Sequence, residues 1–332
     1  MAPGYVDVPK TGFAEAMGRA FLVILAVLVS TVPAQVLAVD LEELLFGAVK
    51  RNARSALSVY GISAVPSETA STLSFESGSD QDRVGFTASQ LGGGFTLSDS
   101  FPLYAEGYIA YNRYDPVLLL SNGTEESRLP LKWTTVAATG GVGWDFKLTD
   151  HWVLRPIAHF SIGRVQSDLS LGATFIAQKI GFDVSFLGDG GLTVGGLGGS
   201  IGVEYNKRWD NDYEVDFTLR HTHIRLEPIA GDKEIQESAD AITTSMWSRL
   251  RIPTGLDLWD RPIRGVTEFS ASWLPGDQGT ALNTQWLLQA GAGMEIDFSE
   301  TWVPLITTTR VVARYTYGEE LHGFGIGLAA SF

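Results

Sequence analysis

The chain ends on LHGFGIGLAASF (321–332). Phe324, Ile326, Leu328, Ala330 and Phe332 alternate there with Gly323, Gly325, Gly327, Ala329 and Ser331. A period of two belongs to a β-strand, whose successive side chains point to opposite faces. One face of this strand is apolar and the other nearly bare. A soluble sheet wets its outer face with polar side chains, whereas glycine and alanine leave room for large groups arriving from neighbouring strands. Whichever side the phenylalanines take is the apolar outside for every strand paired to this one.

The same alternation recurs through the chain. WLLQAGAGMEIDF (286–298) sets Trp286, Leu288, Ala290, Ala292, Met294, Ile296 and Phe298 against Gln289, Gly291, Gly293, Glu295 and Asp297. DYEVDFTLRHT (212–222) opposes Val215, Phe217 and Leu219 to Glu214, Asp216, Thr218 and Arg220. Such segments run roughly 12–17 residues, where soluble strands run about 5–6. Charges stand in mid-strand on the polar face, while the other face stays apolar throughout. A closed barrel with lipid outside and a polar lumen satisfies both faces at once. The expected fold is therefore all-β, a closed antiparallel transmembrane β-barrel.

Twelve strands are expected, beginning near 70–77 and 83–97 and ending with 302–317 and 321–332. A count of 14 is the second reading, because DLSLGATF (168–175) and KIGFDVSF (179–186) also alternate. Connections near 97–101, 148–152, 208–213, 258–262 and 298–302 are short, and those near 115–133, 167–191, 227–241 and 275–283 are long. That asymmetry is the one between periplasmic turns and outer loops. Trp152, Trp209, Trp259 and Trp302 stand at the short turns, with Trp273 and Trp286 flanking a long loop, as two aromatic girdles would require.

Glycine reaches 37 of 332 residues, above the usual ~7%. Cysteine is absent, so neither disulfides nor thiolate metal sites are available. The net charge of −14 and the lack of a basic face exclude nucleic acid as a partner. Residues 1–38 read as a secretory signal peptide, with the apolar run AFLVILAVLVSTV (20–32) after Arg19 and small residues Val36 and Ala38 before the cleavage point. Met17 is the expected true start. Residues 39–69 are expected to form a short amphipathic helix and linker, periplasmic or plugging the lumen. Leu41, Leu44, Leu45, Ala48 and Val49 recur there at helical spacing, and either this helix, over 40–55, or the 167–191 loop is expected to restrict the lumen. The barrel then spans 70–332.

Four features bear on chemistry. His159 and Ser161 form a His-x-Ser on one strand face, the pairing an activated serine needs. Arg155 shares that face, so the pair points into the lumen, away from a lipid substrate, and no enzyme is expected. His221 and His223 fall on the lipid face without an evident third ligand, so no metal and no cofactor are expected. The run GGLTVGGLGGS (190–200) opens no helix and matches no phosphate-loop spacing. The fourth feature is a set of lumen charges. The central ones are Glu106, Arg155, Glu204, Asp216, Arg220, Arg249, Arg251, Glu268, Glu295, Arg310 and Arg314, joined by Asp145, Glu214, Asp257, Asp297, Lys147, Arg208 and Arg264. They either brace the barrel as paired ions or line a pore whose opposed patches select solutes.

Over residues 70–332 the secretory start, twelve long strands, inward glycines and C-terminal aromatic strand resemble Gram-negative outer-membrane barrels. In particular they resemble autotransporter-type translocator domains. About 30 residues separate the signal from the first strand, so the resemblance is to solitary translocator-type barrels without a passenger. It implies residence in the outer membrane among lipids and lipopolysaccharide. It also implies Phe332 as the signal by which barrel assembly machinery takes up the C-terminal strand. The function it implies is a passive channel or structural barrel; the alternatives are an outer-membrane lipid or lipopolysaccharide hydrolase and a passenger-less translocator or assembly partner.

Overall fold

Alternating side chains and antiparallel pairing build this protein almost entirely from strands. The computed structural model describes residues 57–67, 72–77, 84–115, 117–121, 126–130, 133–167, 191–230, 238–259, 261–297, 308–319 and 321–331. By its internal contacts the chain divides into Met1–Arg51 and Asn52–Phe332, and all described residues belong to the second unit. The signal peptide, the apolar spacing of Leu41–Val49, the 168–186 alternation behind the count of 14, Trp302 and Phe332 lie outside the described residues.

In chain order the strands are β1 (Thr72–Ser77), β2 (Val84–Thr96), β3 (Leu103–Asp115), β4 (Val117–Ser121), β5 (Glu126–Pro130), β6 (Trp133–Trp144), β7 (Phe146–Lys147) and β8 (Trp152–Ser167). They continue as β9 (Gly191–Arg208), β10 (Glu214–Ala230), β11 (Ala239–Leu258), β12 (Arg261–Trp273), β13 (Trp286–Asp297), β14 (Thr308–Gly318) and β15 (Leu321–Ser331). Twelve of them form one antiparallel ring, each paired with its sequence neighbours. β1 pairs with β15 and β6 with β8, which closes the cylinder at twelve strands. β7 continues β6 past Asp145 at the short-turn rim. The β4–β5 hairpin stands apart as its own two-stranded sheet, in a stretch the sequence presents only as a long loop.

The outside is apolar, as the period of two requires. Leu91, Leu197 and Phe324 are each 73% exposed, and Ile109, Phe160, Ile162, Ile326 and Leu328 stand out beside them. In water such a continuous apolar surface would aggregate; in a bilayer it is the solvated face. Trp209 and Trp259 mark the rim of the short turns, and Trp273 and Trp286 face each other across β12 and β13 near the other rim. No described helix is long and apolar enough to cross a membrane.

Two irregularities shape the ring. β11 shifts register between Pro253 and Leu256, with Gly255 at φ +71°, so the proline falls where the ladder is already interrupted. β1 pairs over only six residues with each neighbour, reaching Ser89 on β2 and Ile326 on β15. Among the described residues, Gln90–Thr96 and 327–331 therefore have no strand opposite them across the closing seam.

Candidate functional site

The lumen is built in two tiers. Towards the rim of the long loops an apolar cluster of inward side chains, Ala110, Ala137, Val165, Val194, Ile224, Leu226, Ala239 and Ala241, is buried around a short helix, α1 (57–64), with Asn112, Thr139, Thr222 and Thr243 buried among them. Leu57, Tyr60 and Ala64 of α1 lie in this cluster, and Val59 packs in a second one with Phe86, Tyr114, Leu274, Leu282 and Leu321. α1 is mostly apolar and nearly all of it is buried inside the barrel, Ser58 and Ser63 included. Gly61 sits where a Cβ would come within 2.8 Å of the Ala241 Cβ, so the helix reaches the β11 wall there.

A helix end buried among apolar groups leaves its last carbonyls unpaired unless something caps them. Barrel side chains do so from three strands. Asn112 Nδ2 donates to Val59 O at 3.1 Å and to Ser63 Oγ at 2.6 Å. Gln90 Nε2 donates to Ser63 O at 3.2 Å and Val65 O at 3.0 Å, while its Oε1 accepts from the Ser67 N–H. Thr139 Oγ1 donates to Ala64 O at 2.9 Å, and the Tyr60 hydroxyl meets Ser161 Oγ at 2.8 Å. Above α1 a second helix, α2 (Asp277–Leu282), folds in from the 274–284 connection. Its Gln278 is fully buried and accepts from Thr243, and Tyr114 donates to Ala281 O. α1 falls within the 39–69 segment read as helix and linker, residues 40–55 lie outside the described residues, and the 275–283 connection contributes a helix no periodicity announced.

Towards the short turns the lumen is ionic. On β10–β14, Glu295 is completely buried among Arg251, Arg264 and Arg310. Glu268 takes Arg314 at 2.5 Å and Arg310 at 3.3 Å; Glu214 takes Arg251 at 2.7 Å and Arg264 at 3.2 Å. Asp216 pairs with Arg249 and, at 2.8 Å, with Arg251. On the facing wall Arg155 bridges Asp145 and Glu204 and stacks 3.7 Å over the Tyr104 ring. Glu106 takes Arg220 at 2.5 Å. Each pair but the last joins strands one or two apart in the ring, so the network runs along the wall; Arg220 on β10 and Glu106 on β3 reach further. Within the network the β10–β14 wall holds six guanidiniums, Arg220 of β10 among them, against Glu214, Asp216, Glu268 and Glu295. The facing group holds Glu106, Asp145 and Glu204 against Arg155. The two walls carry opposite excess charge.

All eleven principal lumen charges fall in this network, and Asp145, Glu214 and Arg264 join it. Lys147, Arg208 and Asp257 do not: they are exposed at the short-turn rim, Lys147 paired with Asp99 and Arg208 with Asp212. Parity places them inward, but at the short-turn ends of β7, β9 and β11 their side chains reach solvent. Lys147 beside Asp99 holds that carboxyl below its usual value.

His159 and Ser161 are both buried, yet they do not pair. His159 Nε2 meets Ser200 Oγ, with Arg220 Nη2 at 3.2 Å, and its Nδ1 lies 3.4 Å from Glu106 Oε1. Ser161 belongs to Tyr60 and Thr139. Ser200 is the member the sequence does not disclose, because it is 41 residues away on the adjacent strand. His221 and His223 face outward, bonded to Thr244 at 2.8 Å and Asp240 at 3.1 Å, and no group of three metal-ligating side chains occurs among the described residues.

No family model and no curated protein matches the chain. Its neighbours among solved structures are outer-membrane β-barrels, both autotransporter translocator domains and porins. The transport unit of the autotransporter AIDA-I from Escherichia coli is 13% identical, with 84% of this chain and 99% of that one covered at a TM-score of 0.45. The β domain of the Bordetella autotransporter BrkA is 12% identical over 79% and 97%, at 0.41. The NanC porin is 12% identical over 79% and 100%, at 0.34.

Proposed function

We propose that this protein is a passive channel of the Gram-negative outer membrane, closed at rest by α1. The observation that carries the reading is the lumen itself. Its ion pairs run mostly along the wall, as a lining does, while the outer tier is stopped by one short helix held through side-chain hydrogen bonds. A barrel braced for strength alone needs no removable element, and a barrel of twelve strands is wider than the ~8 strands whose side chains fill it. Opposed walls of opposite excess charge set a transverse field across the path, which orients and selects solutes. No catalytic role is assigned to His159, Ser161 or Ser200. Lipopolysaccharide and outer-leaflet lipids would meet the apolar face, and the assembly machinery would take up the strand ending at Phe332.

Planar-bilayer recording tests this reading. The intact protein should give long silent periods broken by brief openings. Gln90→Ala, Asn112→Ala and Thr139→Ala together remove the caps of α1 and should raise the open fraction by about tenfold or more, since each lost hydrogen bond is worth about 1 kcal/mol. No conductance from either protein, in bilayers where each is shown to be inserted, would refute the channel.

A further inference from the structure

α1 meets the barrel wall on one side and α2 on another. Val59 and the half-buried Ile62 of α1 pack with Leu274, Ala281 and Leu282 of the 274–284 connection. A Cβ at Gly61 would come within 3.2 Å of Gln278 Nε2, so α2 rests directly on α1. Six residues without a side-chain N-cap are too few to hold a helix in water, so α2 keeps its shape through burial. It is bounded by Gly276 at φ +74° and Asn283 at φ +52°, left-handed positions at which the chain turns into and out of the helix. Its bonds to the wall run from Thr243 to Gln278 Oε1 at 3.2 Å, from the Tyr114 hydroxyl to Ala281 O at 3.1 Å and from the Asp240 N–H to Asp277 Oδ2 at 3.3 Å. One buried group works against them. Gln278 is completely buried, yet its Nε2 has no acceptor among the described residues. Burying a polar group without a partner is unfavourable, and water would supply the acceptor once α2 swung out.

We infer that α2 is a latch on α1. α1 comes free when α2 swings towards the long-loop side about Gly276 and Asn283, the end residues that absorb the change in backbone angles. It is held again when Ala281 and Leu282 return to Val59 and Ile62. Withdrawing either helix leaves apolar side chains of the other facing water, so each holds the other shut. The inference rests on the channel reading of the same lumen and names the element that regulates it.

The chain has no cysteine, so Gln278→Cys places a single thiol inside the latch. The full-length variant is recorded in planar bilayers in potassium chloride while a charged methanethiosulfonate is added on the long-loop side. The thiol should react only during openings, and the attached charge should then keep α2 from returning. The open fraction should rise about tenfold or more and stay raised until reductant removes the adduct, since burying an unpaired charge costs more than that factor. Thr280→Cys, on the exposed side of α2, should react in silent periods as well and leave the open fraction unchanged. Leu282→Ala should raise the open fraction about tenfold without reagent, the loss of a buried leucine being worth at least that factor. Openings at the usual rate while the Gln278→Cys thiol stays unreacted would overturn the latch. So would an adduct at that thiol, or Leu282→Ala, that left the open fraction where it was. Absence of potassium chloride current from the inserted protein, with and without the adduct, would remove the channel itself, a different result from a channel that opens with α2 in place.

Discussion

Glu295 shows how a single residue holds the ionic tier together. Its carboxylate is completely buried and serves Arg251, Arg264 and Arg310 at once. Removing one partner of a buried pair strands the others, so Glu295→Ala should lower the unfolding free energy by about 3–5 kcal/mol. Urea unfolding in lipid vesicles measures it; a loss under about 1 kcal/mol would mean that water already screens the site. At this scale the sequence is legible in direction but not in partnership. Parity along a strand says that Glu295, Arg310 and His159 face inward, because the side-chain period is two. It does not say that His159 meets Ser200 instead of Ser161, since that depends on the register of β8 against β9. Parity also misleads at a rim: Lys147 keeps the inward phase of β6 and still ends in solvent beside Asp99.

Strands are the elements the sequence announces best, because lipid outside and charge inside write the alternation into every one of them. Val84–Thr96 and Leu321–Ser331 fall within one residue of the 83–97 and 321–332 that alternation predicts. Helices fare worse. α1 lies beyond the leucine spacing that points to a helix at 41–49, and its own two turns are too short for a periodicity to stand out. α2 has six residues, too few for any periodicity, and is held by burial of Gln278 and Leu282. The β4–β5 hairpin is likewise hidden in a loop of mixed composition. The short β1 sets up an element-scale expectation. Among the described residues the seam beyond Ser89 and Ile326 has the fewest cross-strand bonds, and in hydrocarbon an unpaired backbone group costs several kcal/mol. Hydrogen exchange in detergent micelles should find the amides of Gln90–Thr96 exchanging at least about tenfold faster than those of β10 and β11, since local opening costs least where cross-strand bonds are fewest. Equal protection would show the seam to be zipped along its whole length.

At the scale of the whole molecule, closure at twelve strands, an apolar outer tier and an ionic inner tier combine into one conduit. The strand pattern foretells the closure, and the inward charges foretell the ionic tier. The apolar tier is absent from that reading. Inward positions such as Ile224 and Leu226 continue the lumen phase of Arg220, yet they are buried because α1 lies against them. If α1 is the closure, fixing it to the wall must silence the channel. Ser63 and Asn112 touch across the lumen, Nδ2 to Oγ at 2.6 Å, and the chain has no cysteine of its own. Ser63→Cys with Asn112→Cys therefore places a reversible tether between plug and wall. Single-channel recording should show silence while the disulfide is formed, with openings more frequent than in the unmodified protein once reductant is added and silence again on reoxidation. Openings of equal frequency in the oxidised and reduced states would contradict the account.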